Sequence, residues 1–384
     1  INCTLKIVGG SESGQTASFM SADKHTFWTT DFSSANYDQV QTVALRIAVR
    51  DNAVLYAQEG YDLSSAEALL EEFDTTIYPT LTDFMRPAPD LDGNGKVVIL
   101  GLDGGEYYGG YFSPTNQYSD RDTMSWWGQH SNEMEIVHIN VLTEASYLGQ
   151  VTAHEFQHML YHDQHGLQQD YFEYHDEGLA ECAVHLVYGS NDYAVQFYAW
   201  DPKDLIRNGL SLVNWNYAEY ANYAQAYFFW TYLAGQLSGD TTSYKDIFLL
   251  GDSHPNTING FIQDRLGIGF HAAFQNPLMA YHVQAASGAL SLNGMLTFQP
   301  SALKTVTAGT KSLDLLPYGG AFFKLPAGDV NYPGTQGAHI TYRSVSKDGV
   351  QDSTAPFSVD SDGWLFVYNA NTTYNASAEA SGPN

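Results

Sequence analysis

The stretch "VTAHEFQHMLYH", residues 151 to 162, carries three histidines, and two of them, His154 and His158, flank Glu155 in the pattern H-E-x-x-H. On an α-helix, residues four positions apart lie on one face, so both imidazoles can reach a single metal ion. Zinc is commonly held in this way, and the glutamate beside the first histidine then acts as a general base. The alternative is a surface helix that is merely rich in histidine, and residues outside the stretch must distinguish the two.

A catalytic zinc ion needs a third protein ligand and a fourth position open to water. A metzincin-type site would need Gly at position 161 and His at position 164, but the chain has Tyr161 and Gln164, with His165 one residue too late. His162 lies one further turn along the same helix. A third histidine on one straight helix moves away from an ion that the first two hold, so this position is unfavourable.

The third candidate is Glu177 in "YHDEGLAEC", residues 174 to 182, which follows His158 by 19 residues. That spacing leaves room for a loop and a second helix that returns to the first. Glu181 lies four residues further on, where it could accept the N–H of a zinc-bound histidine. Two glutamates at this spacing repel each other unless a cation is nearby. The alternative, an acidic solvated face, fits poorly with the apolar residues around them.

The combination of "HEFQH" and "DEGLAE" resembles the gluzincin clan of zinc metallopeptidases, in which H-E-x-x-H is followed by Glu-x-x-x-Asp or Glu. Within that clan the chain is most similar to the hyicolysin-type secreted endopeptidases. Four further stretches, within about residues 42 to 285, carry this similarity: "APDLDGNGKVVILGLD", "GGYFSP", "SNEMEIVHINV" and "YANYAQAYFFWTYLAGQL".

The resemblance implies that His154, His158 and Glu177 bind zinc and that Glu155 is the general base. It also implies that Glu181 does not bind the metal itself but supports one of the ligands. Asp176 stands where comparable chains tend to have Asn, and we place it with Glu181 among the supporting residues.

These residues predict a zinc-dependent endopeptidase, because zinc lowers the pKa of a bound water and Glu155 can take its proton. The oxyanion needs a further donor, and the candidates are Tyr223 and Tyr227, four apart on one predicted helical face; core packing is their alternative reading. The stretch "EMEIVHINV" should form the edge strand above the cleft, where an extended substrate pairs with free backbone groups.

Two alternative functions are a non-catalytic adhesin or binding protein on the same scaffold and a zinc exopeptidase. The intact Glu155 argues against the first, because a pure binding protein needs no base beside the metal. The second would need a device that holds the substrate's free amine, and the chain has no Gly-x-Met-Glu-Asn-like stretch of the kind that aminopeptidases of this clan carry.

The stretch "DLDGNGKV" follows the first half of an EF-hand calcium loop. Position 12, which should be Glu, is Gly101, so Asp103 would have to close the site. The alternative is an Asp/Asn/Gly turn ahead of a strand. The candidate calcium ligands are therefore Asp90, Asp92, Asn94, the carbonyl of Lys96, and Asp103.

The chain has 384 residues with 43 acidic and 16 basic side chains, a net charge of −27. Such a charge disfavours nucleic acid and anionic membranes as partners, and its carboxylates suit calcium. An endopeptidase would take proteins or peptides as its substrates. We expect a monomer without a membrane span, secreted from a processed precursor. The two cysteines, Cys3 and Cys182, could form one bridge or remain separate thiols.

The apolar patterning, together with the resemblance, implies an α+β protein with a zincin catalytic domain of the metzincin/gluzincin kind. We expect an irregular segment over residues 1–40, then a twisted mixed sheet and the active-site helix in a subdomain over residues 41–165. A helical C-terminal lobe should follow over residues 166–290, and a small all-β domain over residues 291–384. The active-site helix should span about residues 147–163, and the helix of Glu177 about residues 175–188.

Overall fold

The described residues form a six-stranded, a five-stranded and a two-stranded β-sheet together with helices, a mixed α+β architecture. A computed structural model describes residues 24–61, 63, 65–168, 171–298, 315–324, 328–330, 339–346, 349–353, 357–359 and 364–372. Cys3 lies outside these residues. Cys182 is buried, with its Sγ 3.7 Å from Oγ1 of Thr231, and a bridge between the two cysteines stays a prediction.

The first sheet has six strands in the order β1-β2-β3-β4-β6-β5. The inner pairs β3–β4 and β4–β6 are parallel, whereas β1–β2, β2–β3 and β5–β6 are antiparallel. Strands β4 and β6 are buried at every position, as is typical of parallel strands covered on both faces. The strands are β1 Lys24–Thr30, β2 Gln39–Val49, β3 Ala53–Gln58, β4 Val97–Leu102, β5 Gly110–Phe112 and β6 Ile136–Asn140.

Two expectations about this sheet were wrong. Residues 1–40 are not irregular throughout, because the seven residues Lys24–Thr30 form a strand that pairs with β2. The stretch "EMEIVHINV" is not the edge either, because β5, from the Gly- and Tyr-rich "GGYFSP" segment, adds itself antiparallel to β6. Glycine-rich sequence weakens the strand signal, so β5 is stabilised by its pairing rather than by its own propensity.

Ten α-helices occur in the part of the chain that the structure describes. The first two are joined by a π-helical turn, Phe73–Ile77, which lets the helix continue through Pro79 as far as Phe84. The helices are α1 Ala66–Glu72, α2 Tyr78–Phe84, α3 Asp120–Trp126, α4 Ala145–His165, α5 Glu173–Tyr188, α6 Asp192–Trp200, α7 Tyr220–Leu237, α8 Ser243–Phe248, α9 Pro255–Leu266 and α10 Phe270–Val283. None of them combines the length and the apolar character that a membrane crossing requires.

Helix α4 lies against the first sheet and carries the H-E-x-x-H stretch. Phe156, one residue after Glu155, is fully buried and meets Phe73 edge-on, with 5.1 Å between ring centroids. Its other face stacks on Tyr78 at 5.6 Å. The helix ends at Gly166, whose positive φ of 62° is a conformation that few other residues adopt. The predicted helix over about 147–163 is thus confirmed, and it is slightly longer than expected.

Helices α5 and α7 pack closely because Gly178 has no side chain. A Cβ at Gly178 would lie 2.5 Å from Cδ1 of Trp230, well inside van der Waals contact. Trp230 is fully buried, and its indole Nε1 donates a hydrogen bond of 2.7 Å to the carbonyl of Tyr174. Because Gly178 directly follows Glu177, this contact between helices also sets the position of Glu177.

The second sheet has five strands in the order β11-β10-β13-β8-β7, and a two-stranded sheet pairs β12 with β9. The strands are β7 Asn208–Ser211, β8 Gly319–Lys324, β9 Gly328–Val330, β10 Ile340–Ser346, β11 Gly349–Ser353, β12 Phe357–Val359 and β13 Trp364–Asn369.

The C-terminal strands do not stand apart as the small all-β domain that we expected. Strand β7 comes from the helical lobe and pairs antiparallel with β8. The ring of Phe322 stacks on His282 of α10 at 4.1 Å, and Phe366 and Tyr368 are buried in the same core as α10. The reason is the apolar face of α10, which the sheet covers.

Candidate metal centre

Helix α4 presents His154 and His158 side by side, one helical turn apart. Their ring centroids lie 4.8 Å from each other, with the ring planes at 78°. Helix α5 returns against α4 and brings the carboxylate of Glu177 to both rings. Its Oε2 lies 3.2 Å from Nε2 of His154 and 3.3 Å from Nε2 of His158. The two helices therefore direct three metal-binding side chains at one point.

One ligand atom from each of these three residues falls within 4.8 Å of the other two, so a single metal ion could bridge them. Two imidazole nitrogens and one carboxylate oxygen are a donor set typical of catalytic zinc. The residues present therefore fit a zinc ion.

Behind the histidines, an acidic side chain lies near the Nδ1 atom of each ring. Nδ1 of His158 hydrogen-bonds to Oδ1 of Asp176 at 2.8 Å, and the Tyr171 hydroxyl donates to Oδ2 of the same carboxylate at 2.7 Å. Nδ1 of His154 lies 3.7 Å from Oε1 of Glu181, which is close but longer than a hydrogen bond. Such partners orient the rings, so that Nε2 faces the metal. Asp176 is hydrogen-bonded to His158, and Glu181 lies near His154; their supporting role stays a prediction.

The remaining oxygen of Glu181 is held by two further groups. Oε2 accepts hydrogen bonds from the side-chain amide of Asn191 and, at 3.3 Å, from the hydroxyl of Tyr220. Neither Asn191 nor Tyr220 was singled out from the sequence, because only the packing of α6 and α7 against α5 brings them near.

The electrostatics of the bare cluster favour a charged carboxylate between charged imidazoles. Burial opposes ionisation of Glu177, but the positive charge on His158 and the hydrogen bonds from both histidines lower its pKa to about 2. Burial likewise opposes protonation of His158, yet Asp176 and Glu177 raise its pKa well above the ordinary value. A metal ion requires neutral imidazole, so metal binding must displace these protons.

Glu155 lies beside the three candidate ligands and is only 6% exposed. Burial raises its pKa to about 7, although the charges of His154 and His158 pull in the opposite direction. Strand β5 crosses directly over it: a Cβ at Gly110 would lie 2.9 Å from Cγ of Glu155. Glycine at this position lets the edge strand approach the carboxylate.

The cluster opens onto a cleft of about 1010 Å³. Strand β5 forms one wall, helices α4 and α5 form the floor, and the start of α7 forms the opposite wall. Many of the lining side chains are aromatic, among them Tyr108, Phe112, Tyr171, Tyr217, Tyr220 and Tyr223.

The two tyrosine candidates do not share one environment. Tyr223 lines the cleft, and its ring centroid lies 6.4 Å from that of His154. Tyr227 does not line it; its hydroxyl meets Nδ1 of His185 at 2.9 Å and accepts a hydrogen bond of 3.4 Å from the backbone N–H of Asn191. Tyr227 was therefore wrongly placed at the site, because the following turn of α7 runs into the core.

The two histidines considered as alternative third ligands are directed to other groups. His162 is buried, with Nε2 2.9 Å from the Tyr118 hydroxyl, and His165 has its Nε2 2.8 Å from the carbonyl of Phe248. Neither belongs to the group that could hold the metal.

A second acidic group lies at the other end of the first sheet. Asp90 and Asp92 lie close to Glu135, a residue that the sequence did not indicate. Asp103 is not part of this group, because the whole length of β4 separates it from the Asp90 loop; its carboxylate instead accepts a hydrogen bond from Tyr61. The expectation that Asp103 closes a calcium site was therefore wrong. Asn94 and Lys96, the other predicted calcium ligands, lie in the same loop as Asp90 and Asp92.

Comparison with known proteins supports a metalloprotease relationship. The chain is 27% identical over 257 residues to the neutral metalloprotease ShpI of Staphylococcus hyicus. The matched region is 60% of this chain and 56% of that protein, so the chain spans only about half of the relative's length. No family model matches the chain.

Proposed function

We propose that the protein is a secreted zinc-dependent endopeptidase of the hyicolysin type. The observation that carries this proposal is the meeting of His154, His158 and Glu177 at the floor of an open cleft, with the carboxylate of Glu155 beside them. The similarity to a neutral metalloprotease supports the same activity. No specific observation favours a binding protein or an exopeptidase.

His154, His158 and Glu177 would hold the ion, and Asp176 and Glu181 would orient the two imidazoles. When bound, zinc lowers the pKa of water and polarises the scissile carbonyl. Glu155 takes the proton of the attacking water and delivers it to the leaving amine. A pKa near neutrality suits a group that both accepts and returns a proton.

The free edge of β5 is the proposed binding site for the substrate main chain. Among the described strands, Gly110–Phe112 pair with β6 alone, and the same residues line the cleft. An extended peptide can add to such an edge through backbone hydrogen bonds. An open cleft that binds the main chain of the substrate supports cleavage within a polypeptide rather than at its terminus.

Zinc content and chelation test the proposal directly. We expect the purified protein to contain about one zinc ion per chain and to lose caseinolytic activity with a chelator such as 1,10-phenanthroline. Activity should return when zinc is added back, because the ligand set remains folded. Caseinolytic activity that persists in protein shown to be free of metal would contradict the proposal.

Tyr223 is the proposed donor to the oxyanion. Burial raises its pKa well above the ordinary value, so its hydroxyl keeps its proton and can donate. We expect Tyr223→Phe to lower kcat by about 100-fold with little change in KM, the usual cost of losing one oxyanion donor. Steady-state kinetics on a peptide substrate measures this.

Tyr227→Phe is the matched control, because it removes the same atom four residues away without touching the cleft. Its kcat should stay close to that of the wild type. Equal losses in both variants would show that the effect is structural and would remove Tyr223 from the reaction.

A further inference from the structure

We propose that Asp90, Asp92 and Glu135 form a calcium site that joins the N-terminal ends of strands β4 and β6. The three side chains each offer a carboxylate oxygen, and these oxygens lie within 4.8 Å of one another. The two aspartates come from the loop before β4, and Glu135 immediately precedes β6. The site is distinct from the metal centre on α4 and α5.

The loop before β4 is folded by its own acidic side chains. Oδ1 of Asp90 accepts a hydrogen bond of 2.9 Å from the backbone N–H of Gly95, and Oδ1 of Asp92 accepts one of 3.0 Å from that of Asn94. Gly93 and Gly95 adopt positive φ angles of 73° and 68°. The loop is therefore curled so that the side chains of Asp90 and Asp92 converge.

The buried carboxylate of Glu135 indicates that a ligand binds here. It is only 1% exposed, and Oε1 accepts a hydrogen bond from the backbone N–H of Leu91, between the two aspartates. Oε2 is buried and accepts no hydrogen bond from any residue that the structure describes. A buried carboxylate oxygen without a partner is costly, because it has lost its hydration without replacement. A cation held by the three carboxylates would supply the missing partner.

Among the described residues, no basic side chain forms an ion pair with this cluster. The nearby Lys96 directs its Nζ to the backbone carbonyls of Arg50 and Asp51, at 2.6 Å each. Burial raises the pKa of Glu135, and the charges of Asp92 and Asp90 raise it further. Three mutually repelling carboxylates thus have no counterion among the residues that the structure describes.

The ligand chemistry favours calcium over zinc. Calcium takes oxygen ligands at about 2.3–2.6 Å, so oxygens on opposite sides of one ion lie up to about 5 Å apart. The three carboxylate oxygens lie within 4.8 Å of one another, which is close enough for them to share one such ion. Zinc prefers nitrogen and sulfur, which this cluster does not offer. The net charge of −27 also raises the local concentration of divalent cations.

A cation here would stabilise the centre of the first sheet. Val98 of β4 donates its backbone N–H to the carbonyl of Glu135 at 2.7 Å, so the cluster lies at the first rung between the two parallel strands. Binding to the folded state alone raises stability by mass action.

Equilibrium dialysis of the zinc-loaded 384-residue chain against radioactive Ca²⁺, with excess Mg²⁺ present, tests the proposal. We expect about one calcium per chain in the wild type and a rise in Tm of about 2 °C or more at saturating calcium. Glu135→Gln and Asp92→Asn should each weaken calcium binding at least tenfold. Asp92 is exposed, so the second variant remains informative if the first fails to fold.

Asp103→Asn is the matched control, because Asp103 lies at the far end of β4 and should leave calcium binding unchanged. Zinc content is measured in every sample and should not vary. Absence of calcium binding at 1 mM in the wild type, or wild-type binding in both Asp92→Asn and Glu135→Gln, would overturn the proposal. Because none of these measurements uses peptidase activity, the result does not depend on the proposed function.

Discussion

Glu155→Gln should lower peptide hydrolysis by about 1,000-fold while the protein still holds one zinc ion per chain. Glutamine keeps the shape of the side chain but cannot accept a proton, and a general base typically contributes about 10²- to 10⁴-fold. Zinc content should be unaffected, because Glu155 is not one of the three residues whose ligand atoms converge. Casein hydrolysis and elemental analysis on the same sample measure both outcomes.

Glu144→Gln is a suitable control for this variant. Glu144 stands at the start of the same helix, is exposed, and makes no capping hydrogen bond with its side chain. The Glu144→Gln variant should hydrolyse casein at the wild-type rate. Full activity in Glu155→Gln would exclude the proposed role of this carboxylate. The wild-type rate should also rise with pH and level off by about pH 7, because the base acts in its ionised form and burial raises its pKa to about 7. A bound cation opposes this rise in pKa and would move the plateau to lower pH.

Glu177→Ala should remove both zinc and activity. The variant leaves two histidines without the carboxylate whose Oε2 lies 3.2 and 3.3 Å from their Nε2 atoms. Two ligands hold zinc much more weakly than three, so we expect well below half an ion per chain after dialysis against micromolar zinc. Elemental analysis measures the loss, and circular dichroism checks that the variant remains folded.

Glu181→Gln is the matched control, one helical turn further along α5. Its carboxylate lies beside His154 rather than among the ligands, so zinc affinity should fall by only about 10- to 100-fold. If Glu177→Ala retained a full equivalent of zinc, the third ligand would lie elsewhere, and His162 or His165 would have to be reconsidered.

The parts of the site that depend on helical periodicity could be predicted from the sequence. His154 and His158 are one turn apart on α4, and Glu177 and Glu181 are one turn apart on α5, so local geometry already places each pair. Periodicity did not distinguish Tyr223 from Tyr227. They are also one turn apart, but the cleft ends between them.

The features that the sequence did not predict depend on contacts between distant segments. Glu135 joins Asp90 and Asp92 only because β6 lies parallel to β4, and nothing near residue 135 signals that pairing. The edge strand β5 has only three residues and begins with glycine, so it shows no alternation to detect. The pairing of β7 with β8 spans more than a hundred residues of chain.

Because β7 pairs with β8, one wall of the cleft depends on the C-terminal strands. Strand β7 ends at Ser211, and the segment that follows carries Tyr217 and leads into α7, where Tyr223 faces the cleft. Cleavage of the chain between α10 and β8, with loss of the C-terminal strands, would leave β7 without its neighbour and uncover the aromatic face of α10. One wall of the cleft therefore depends on strands that lie more than a hundred residues away from it in the sequence.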